Sequence, residues 1–329
     1  MHDRRIASRP LTVLVLCGVV AVFSLAAQAD VRLPSIIGDN MVLQADVVRI
    51  WGWADAGEEI GVNLSWRKTG WTVTTGEDGK WSFKTSAPDV GGPYEMTLKG
   101  KNTVTVKNIL VGEVWVCSGQ SNMQWPVKQS ANAEQEVAGA TYPKIRLFSV
   151  ERRVADTPQD DCKGNWVECS PQTVGDFSAV AYYFGRDLHK ELNAPVGLVN
   201  TSWGGTPAES WASPRMLEQN PVFEPVVNRY KEALAVYPKA KKEYDEKMEQ
   251  WKKDMEKAKT EGTKAPPRPS EPFGPGSPWT PAGLYNAMIA PLTPYTIRGA
   301  IWYQGESNAG RAYQYRELFP AMIKSWWKA

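Results

Sequence analysis

Histidine is nearly missing from the sequence: His2 and His189 are the only two in 329 residues. No cluster of Cys and His has metal-ligand spacing, so no metal is expected, and no cofactor is implied. A surplus of one charge is missing too, with 38 Lys and Arg against 36 Asp and Glu. Loss of residues 1–29, argued next, removes Arg4, Arg5, Arg9 and Asp3 and takes the totals from 38 to 35 and from 36 to 35. A chain so close to neutral lacks the basic footprint that nucleic acid requires. After residue 29 no run approaches the roughly 18–20 apolar residues of a membrane helix, so no span is expected in the mature protein.

Residues 1–29 carry the three arginines, an apolar stretch over 11–27 and the small-x-small site Ala27-Gln28-Ala29. This is the pattern of a secretory signal peptide cleaved after Ala29, which puts the protein in the periplasm or outside the cell. Cys17 follows Leu16 rather than a small residue, which argues against a lipid anchor. Cysteine is scarce, with three left after cleavage. Cys162 and Cys169 flank a short Lys-Gly-Asn-Trp loop and are the expected disulfide in an oxidising compartment. Cys117, in an apolar run, is expected to be a buried free thiol.

Tryptophan, by contrast, is abundant, with fifteen residues. Such a number serves a core or a sugar-stacking surface, and composition does not choose between them. From 30 to 108 the hydrophobic period is two. Ile60, Val62, Leu64 and Trp66 alternate with polar residues, Trp81 and Phe83 follow the turn at 77–80, and Tyr94, Met96 and Leu98 alternate again. Short alternating strands with turn signals predict a small all-β sandwich domain.

From 109 to 329 the pattern becomes α/β. Short apolar runs at 114–117, 145–150, 196–200 and 300–303 alternate with helical stretches such as 178–192, whose apolar face is predicted to be Val180, Tyr183, Phe184, Leu188 and Leu192. A parallel sheet flanked by helices follows, with ligands at the carboxyl ends of its strands. A Lys/Glu-rich insertion over 214–280, predicted as one or two solvated helices and then a Pro/Gly-rich strap, stands to wall one side of that cleft.

Three polar blocks sit at three strand ends: Gly119-Gln120-Ser121-Asn122-Met123, Ser202-Trp203-Gly204-Gly205-Thr206, and Trp302-Tyr303-Gln304-Gly305-Glu306-Ser307-Asn308. A serine on a small-residue turn after a buried strand can present its hydroxyl outward, and paired glycines let backbone N–H groups approach a ligand. Together the blocks predict a site.

In this order and at these separations the blocks resemble the sialate O-acetylesterases of the SGNH hydrolase group. The resemblance implies an SGNH-type sheet and a hydrolase that removes O-acetyl groups from sialic acid or a related glycan. It implies Ser121 as nucleophile, with the oxyanion held by the N–H of Ser121, that of Gly205 (or Gly204) and the side chain of Asn308. Gln120, Gln304 and Glu306 would support them. Acetylxylan esterases carry similar blocks, and a non-catalytic glycan-binding protein is the reading from another class.

The general base in this superfamily is a histidine in an Asp-x-x-His segment. His2 leaves with the signal, and His189 lies on the predicted polar side of the helix at 178–192 with Tyr182 and Arg186. The segment 313–329 reads as a helix with no strand after it. The expectation is therefore a C-terminally truncated hydrolase with the nucleophile and oxyanion elements but without its acid/base pair.

Overall fold

The computed structural model describes residues 30–329, so the signal peptide read at 1–29 lies outside the described residues. Seven strands come first: β1 (Val42–Gln44), β2 (Val47–Trp53), β3 (Glu59–Leu64), β4 (Trp71–Thr74), β5 (Lys80–Ser86), β6 (Gly91–Lys99) and β7 (Thr103–Gly119). β2 and β5 pair antiparallel as a two-stranded ribbon, while β4, β3, β6 and β7 run side by side in a larger sheet. The strands expected over 30–108 are present, but a sandwich domain standing apart is not seen.

The physical reason is the length of β7. Its 17 residues can span about 56 Å, enough to serve two neighbourhoods. Its first part pairs with β6 and with β1, and its last part, from Glu113 on, enters a parallel array. The β6–β7 register shifts between Tyr94, paired with Ile109, and Met96, paired with Val106, and within that stretch Asn108 has a φ of 56°, an L-residue in left-handed backbone. One buried apolar cluster runs through both parts, from Val31 and Ile50 to Leu318 and Met322.

The remaining strands are β8 (Tyr142–Ser149), β9 (Trp166–Cys169), β10 (Val196–Asn200) and β11 (Gly299–Tyr303). β10 and β11 flank the end of β7 in parallel, β8 lies parallel beyond β10, and β9 closes that edge antiparallel. The result is one mixed nine-stranded sheet flanked by helices, an α/β fold. The runs read as core strands all lie in it.

Among the described residues six α-helices complete the fold: α1 (Ser121–Gln124), α2 (Ala133–Gly139), α3 (Ala179–Leu192), α4 (Pro214–Gln219), α5 (Glu224–Glu261) and α6 (Ala312–Lys328). Ser178 caps α3 by accepting from the Ala181 N–H at 3.1 Å. The most buried line of α3 is shifted from the face expected. Ala179, Ala181, Tyr182 and Gly185 are buried, while Leu192 is 52% exposed. A Cβ on Gly185 would stand 2.6 Å from Leu198 of β10, so small residues bring the helix onto the sheet and the larger ones flank the contact.

α5 is a single helix of 38 residues in which only Val226 and Ala258 are buried. The Pro/Gly-rich strap runs back along it. The Trp251 indole donates to the Pro266 carbonyl at 3.0 Å, Tyr230 packs on Phe273, and a Cβ on Gly274 would strike the Tyr237 ring at 2.0 Å. Among the described residues no helix is long and apolar enough to cross a membrane.

The expected disulfide is not formed: Cys117, Cys162 and Cys169 are all buried free thiols. Cys169 pairs with Tyr142 at one end of the β8–β9 pair, whereas Lys163, next to Cys162, accepts from the Glu151 N–H beyond the other end, so the two cysteines lie at opposite ends of the pair, beyond disulfide reach. Burial pushes both thiols up to about 12 and raises Cys117 as well.

Candidate active site

The parallel register places three chain ends together. The Gln120 N–H donates to the Tyr303 carbonyl at 2.9 Å and the Trp203 N–H to the Gly119 carbonyl at 3.0 Å. Gly119 is required at this crossing: its φ is 145°, and a Cβ there would lie 2.2 Å from the Tyr303 oxygen. The chain then turns directly into α1, whose first residue is Ser121, exposed to solvent. As in any first helical turn, the Ser121 N–H has no partner within the helix.

Side chains lock the blocks to one another. Gln120 is buried, and its Oε1 accepts from the Gly305 N–H at 3.4 Å and the Ser307 N–H at 3.2 Å. Asn122 Nδ2 donates to Glu306 Oε1 at 2.6 Å. Gln124, which sequence reasoning did not single out, accepts from the Gly204 N–H through Oε1. A Cβ on Gly204 would come within 3.5 Å of the Ser121 Cα and Cβ, so the second block lies against the serine. Gly205, with φ of 76°, is the positive-φ residue of that turn. Its N–H has no acceptor among the described residues, whereas that of Gly204 is committed.

Asn308 lies beneath the site, not in its mouth. It is 1% exposed. Its Oδ1 accepts from the Ala208 N–H at 2.9 Å and from Gln304 Nε2 at 2.7 Å, and its Nδ2 donates to Glu209 Oε2 at 2.8 Å. Gln304 Nε2 also donates to the Thr206 carbonyl at 3.2 Å, tying the second block to the third. Through these bonds Asn308 holds Gln304, Glu209 and the chain at Ala208, and they use one of the two Nδ2 hydrogens.

Glu209 is the centre of this support and was missed by sequence reasoning. Its carboxylate is buried and takes Arg229 Nη2 at 3.1 Å, Arg311 Nη1 and the Asn308 amide. Arg229 comes from the start of α5, so the insertion touches the support of the site through its first turns. Burial lowers the Arg229 pKa, and the neighbouring Arg311 charge adds to the effect. A lone glutamate after a glycine turn has no sequence signature; only its proximity to the second block was visible.

The base is a separate matter. His189 is the one histidine among the described residues. Its Nδ1 lies 2.6 Å from the Ala194 carbonyl and its ring meets Tyr142 edge-on. Ala194 leads into β10, whose first residue pairs with Glu113, six residues before Gly119 on β7. At about 3.3 Å per residue that is about 20 Å from Ser121, at the opposite end of the sheet. His189 is half-buried on the Tyr182 side of α3, which packs inward instead of facing solvent.

The chain is similar to known carbohydrate esterases. A family model described as "Carbohydrate esterase, sialic acid-specific acetylesterase" matches residues 111–262. The sialate O-acetylesterase of Rattus norvegicus is 35% identical over 98% of this chain and 60% of its own length, and that of Homo sapiens is 32% identical over 90% and 52%. Among solved structures, a carbohydrate acetylesterase from Xanthomonas citri superposes with a TM-score of 0.70 at 31% identity, over 90% of this chain and 57% of that one. The chain spans between 52% and 60% of the length of these curated relatives.

Proposed function

We propose that this chain, similar over 98% of its length to a sialate O-acetylesterase, carries the nucleophile half of a serine esterase that removes O-acetyl groups from sialic acid or a related glycan outside the cytoplasm. The observation that carries this reading is Ser121 exposed at the end of β7, with the uncommitted N–H of Gly205 in the turn that lies against it.

In the proposed reaction Ser121 Oγ attacks the acetyl carbonyl carbon. The carbonyl electron pair moves to oxygen, which the N–H groups of Ser121 and Gly205 stabilise. Collapse breaks the bond to the sugar oxygen, which leaves as a hydroxyl with a proton from the base, and water then releases acetate from the acetyl-enzyme. One oxyanion donor typically lowers the barrier by about 3 kcal/mol. Gln120, Gln304, Glu306 and Asn308 act as positioning residues.

A serine hydroxyl needs a general base, and His189 is at the wrong end of the sheet. We therefore place the base outside these 329 residues, in an Asp-x-x-His segment of the kind the family uses. The test is acetate release from O-acetylated sialic acid by three proteins: this chain, a longer form bearing such a segment, and that longer form with Ser121→Ala. The expected result is turnover by the longer form only. Equal turnover with Ser121→Ala would sink the nucleophile assignment, and full turnover by the 329-residue chain would sink the assignment of the base. O-acetylated xylan, run in parallel, separates a sialate esterase from an acetylxylan esterase.

A further inference from the structure

The β2–β5 ribbon has two unlike faces. Val48, Ile50 and Gly52 of β2 face inward with Trp81, Phe83 and Thr85 of β5, and all are buried. Arg49, Trp51 and Trp53 face outward, and the register sets Trp51 opposite Ser82 and Trp53 opposite Lys80. An outward face with two indoles at alternate positions is costly in water unless something covers it. Here it lines a cleft of about 510 Å³, with walls formed by the loop at 158–160 and by Pro291, Thr293 and Pro294. That volume is within the usual range for ligand pockets. None of the three Ser121 blocks contributes to it.

Trp51 and Trp53 are held differently. Trp51 leans edge-on against Tyr295, with centroids 6.4 Å apart, and so belongs partly to the core. Trp53 is not among the side chains packed on the core. Its ring is fixed by the Arg32 guanidinium, 4.8 Å from the centroid, and its backbone exchanges two 2.9 Å hydrogen bonds with Arg32. An indole so immobilised loses little entropy when a ligand stacks on it.

The charges of the cleft balance. Arg49 and Lys80 stand against Asp78 and Asp160, and Lys80 Nζ reaches Asp160 Oδ1 across the cleft at 2.8 Å. There is no surplus charge to recruit a phosphate or a carboxylate. Ser82 and Gln159 also line the cleft and supply groups that bond hydroxyls. Flat aromatic surface, hydroxyl-bonding side chains and zero net charge suit the apolar faces and hydroxyls of pyranose rings.

We propose that this cleft is a second carbohydrate site, distinct from the Ser121 site, which holds a neutral oligosaccharide segment of the acetylated glycan. The choice of a carbohydrate over another neutral polar chain rests on the proposed esterase function. Its effect is to raise the local concentration of ester groups near the protein without taking part in the chemistry.

The test is calorimetric titration of the full chain, carrying Ser121→Ala, with xylohexaose and cellohexaose, and with N-acetylneuraminic acid as the anionic comparator. At least one neutral hexasaccharide binds, and Trp53→Ala weakens that binding about tenfold or more, as loss of an aromatic anchor should. Ser82→Arg fills the cleft from an exposed position without removing any packing, so it weakens binding equally and decides the matter should Trp53→Ala misfold. The site is overturned if neither hexasaccharide binds at millimolar concentration, if both variants bind as tightly as the parent, or if only the anionic sugar binds. Hexasaccharide binding without ester hydrolysis in the longer form counts against the esterase reading alone; hydrolysis without binding counts against this site alone.

Discussion

At the scale of the residue, the site shows what a sequence can and cannot disclose. Ser121 and Gly205 were legible because strand ends and paired glycines leave a local signature, and the structure brings them to one place. Glu209 was not legible, because its role comes from residues 20 and 102 positions away. Its environment makes a prediction. Glu209→Gln keeps the shape but leaves two guanidinium groups without their carboxylate. Removing one partner of a buried pair costs about 3–5 kcal/mol, and less where the survivors reach water. Arg229 and Arg311 are 42% and 27% exposed, so a loss of about 2 kcal/mol is expected in urea unfolding. Since Asn308 donates to this carboxylate and in turn holds Gln304, ester hydrolysis by the longer form should fall as well. A variant with unchanged midpoint would show that the two arginines do not need it. Cys162 and Cys169 make the opposite lesson: spacing suggested a bond, and an intervening extended strand forbids it.

At the scale of the element, periodicity located the strands and α3 well, and Val180, Tyr183, Phe184 and Leu188 do pack half-buried on the core, but the most buried line of α3 is shifted to Ala181, Tyr182 and Gly185. Hydrophobicity ranks Phe184 and Leu188 above Ala181 and Gly185, yet close packing on Leu198 selects the small pair. The anchoring of β11 was equally invisible from sequence. Arg298, just before β11, donates from Nε and Nη2 to Glu113 of β7 at 2.7 and 2.9 Å, while its N–H bonds the Val114 carbonyl. These bonds, partly opposed by burial, hold the Glu113 carboxyl below its ordinary value of 4.5. A depressed carboxyl contributes stability that is present above pH 4.5 and lost as pH falls through the folded-state value. Arg298 is 53% exposed, so the contribution is about 1 kcal/mol after screening. Glu113→Gln should therefore lower stability by that amount at pH 7 and flatten the decline below pH 4.5, as read by chemical denaturation at pH 7, 5 and 3.5. A parallel decline in both proteins would remove Glu113 as its source.

At the scale of the whole molecule, the change from period-two to α/β patterning near residue 108 is real, but it marks a change of partners along one strand. β7 carries the antiparallel neighbours β6 and β3 at one end and the parallel neighbours β10 and β11 at the other. Sequence pattern reports each half separately and is silent on a strand that belongs to both. The energetic consequence is that the two regions share a core. Val31, Ile36 and Met41 are buried in the same cluster as Trp211, Leu284 and Met322, and Tyr295 donates to the Val42 carbonyl at 2.7 Å. Trp71 of β4 packs on Phe83 of β5 inside the first region, but a region that shares the rest of its core with its neighbour loses part of that burial when cut away. Residues 30–108 expressed by themselves are expected to show no cooperative thermal transition. Residues 30–329 should unfold in a single calorimetric transition whose calorimetric and van't Hoff enthalpies agree. Two resolved transitions, or a folded 30–108 fragment, would mean that the shared strand joins two domains which hold themselves up independently. In that case the Ser121 turn would owe its position to β10 and β11 alone.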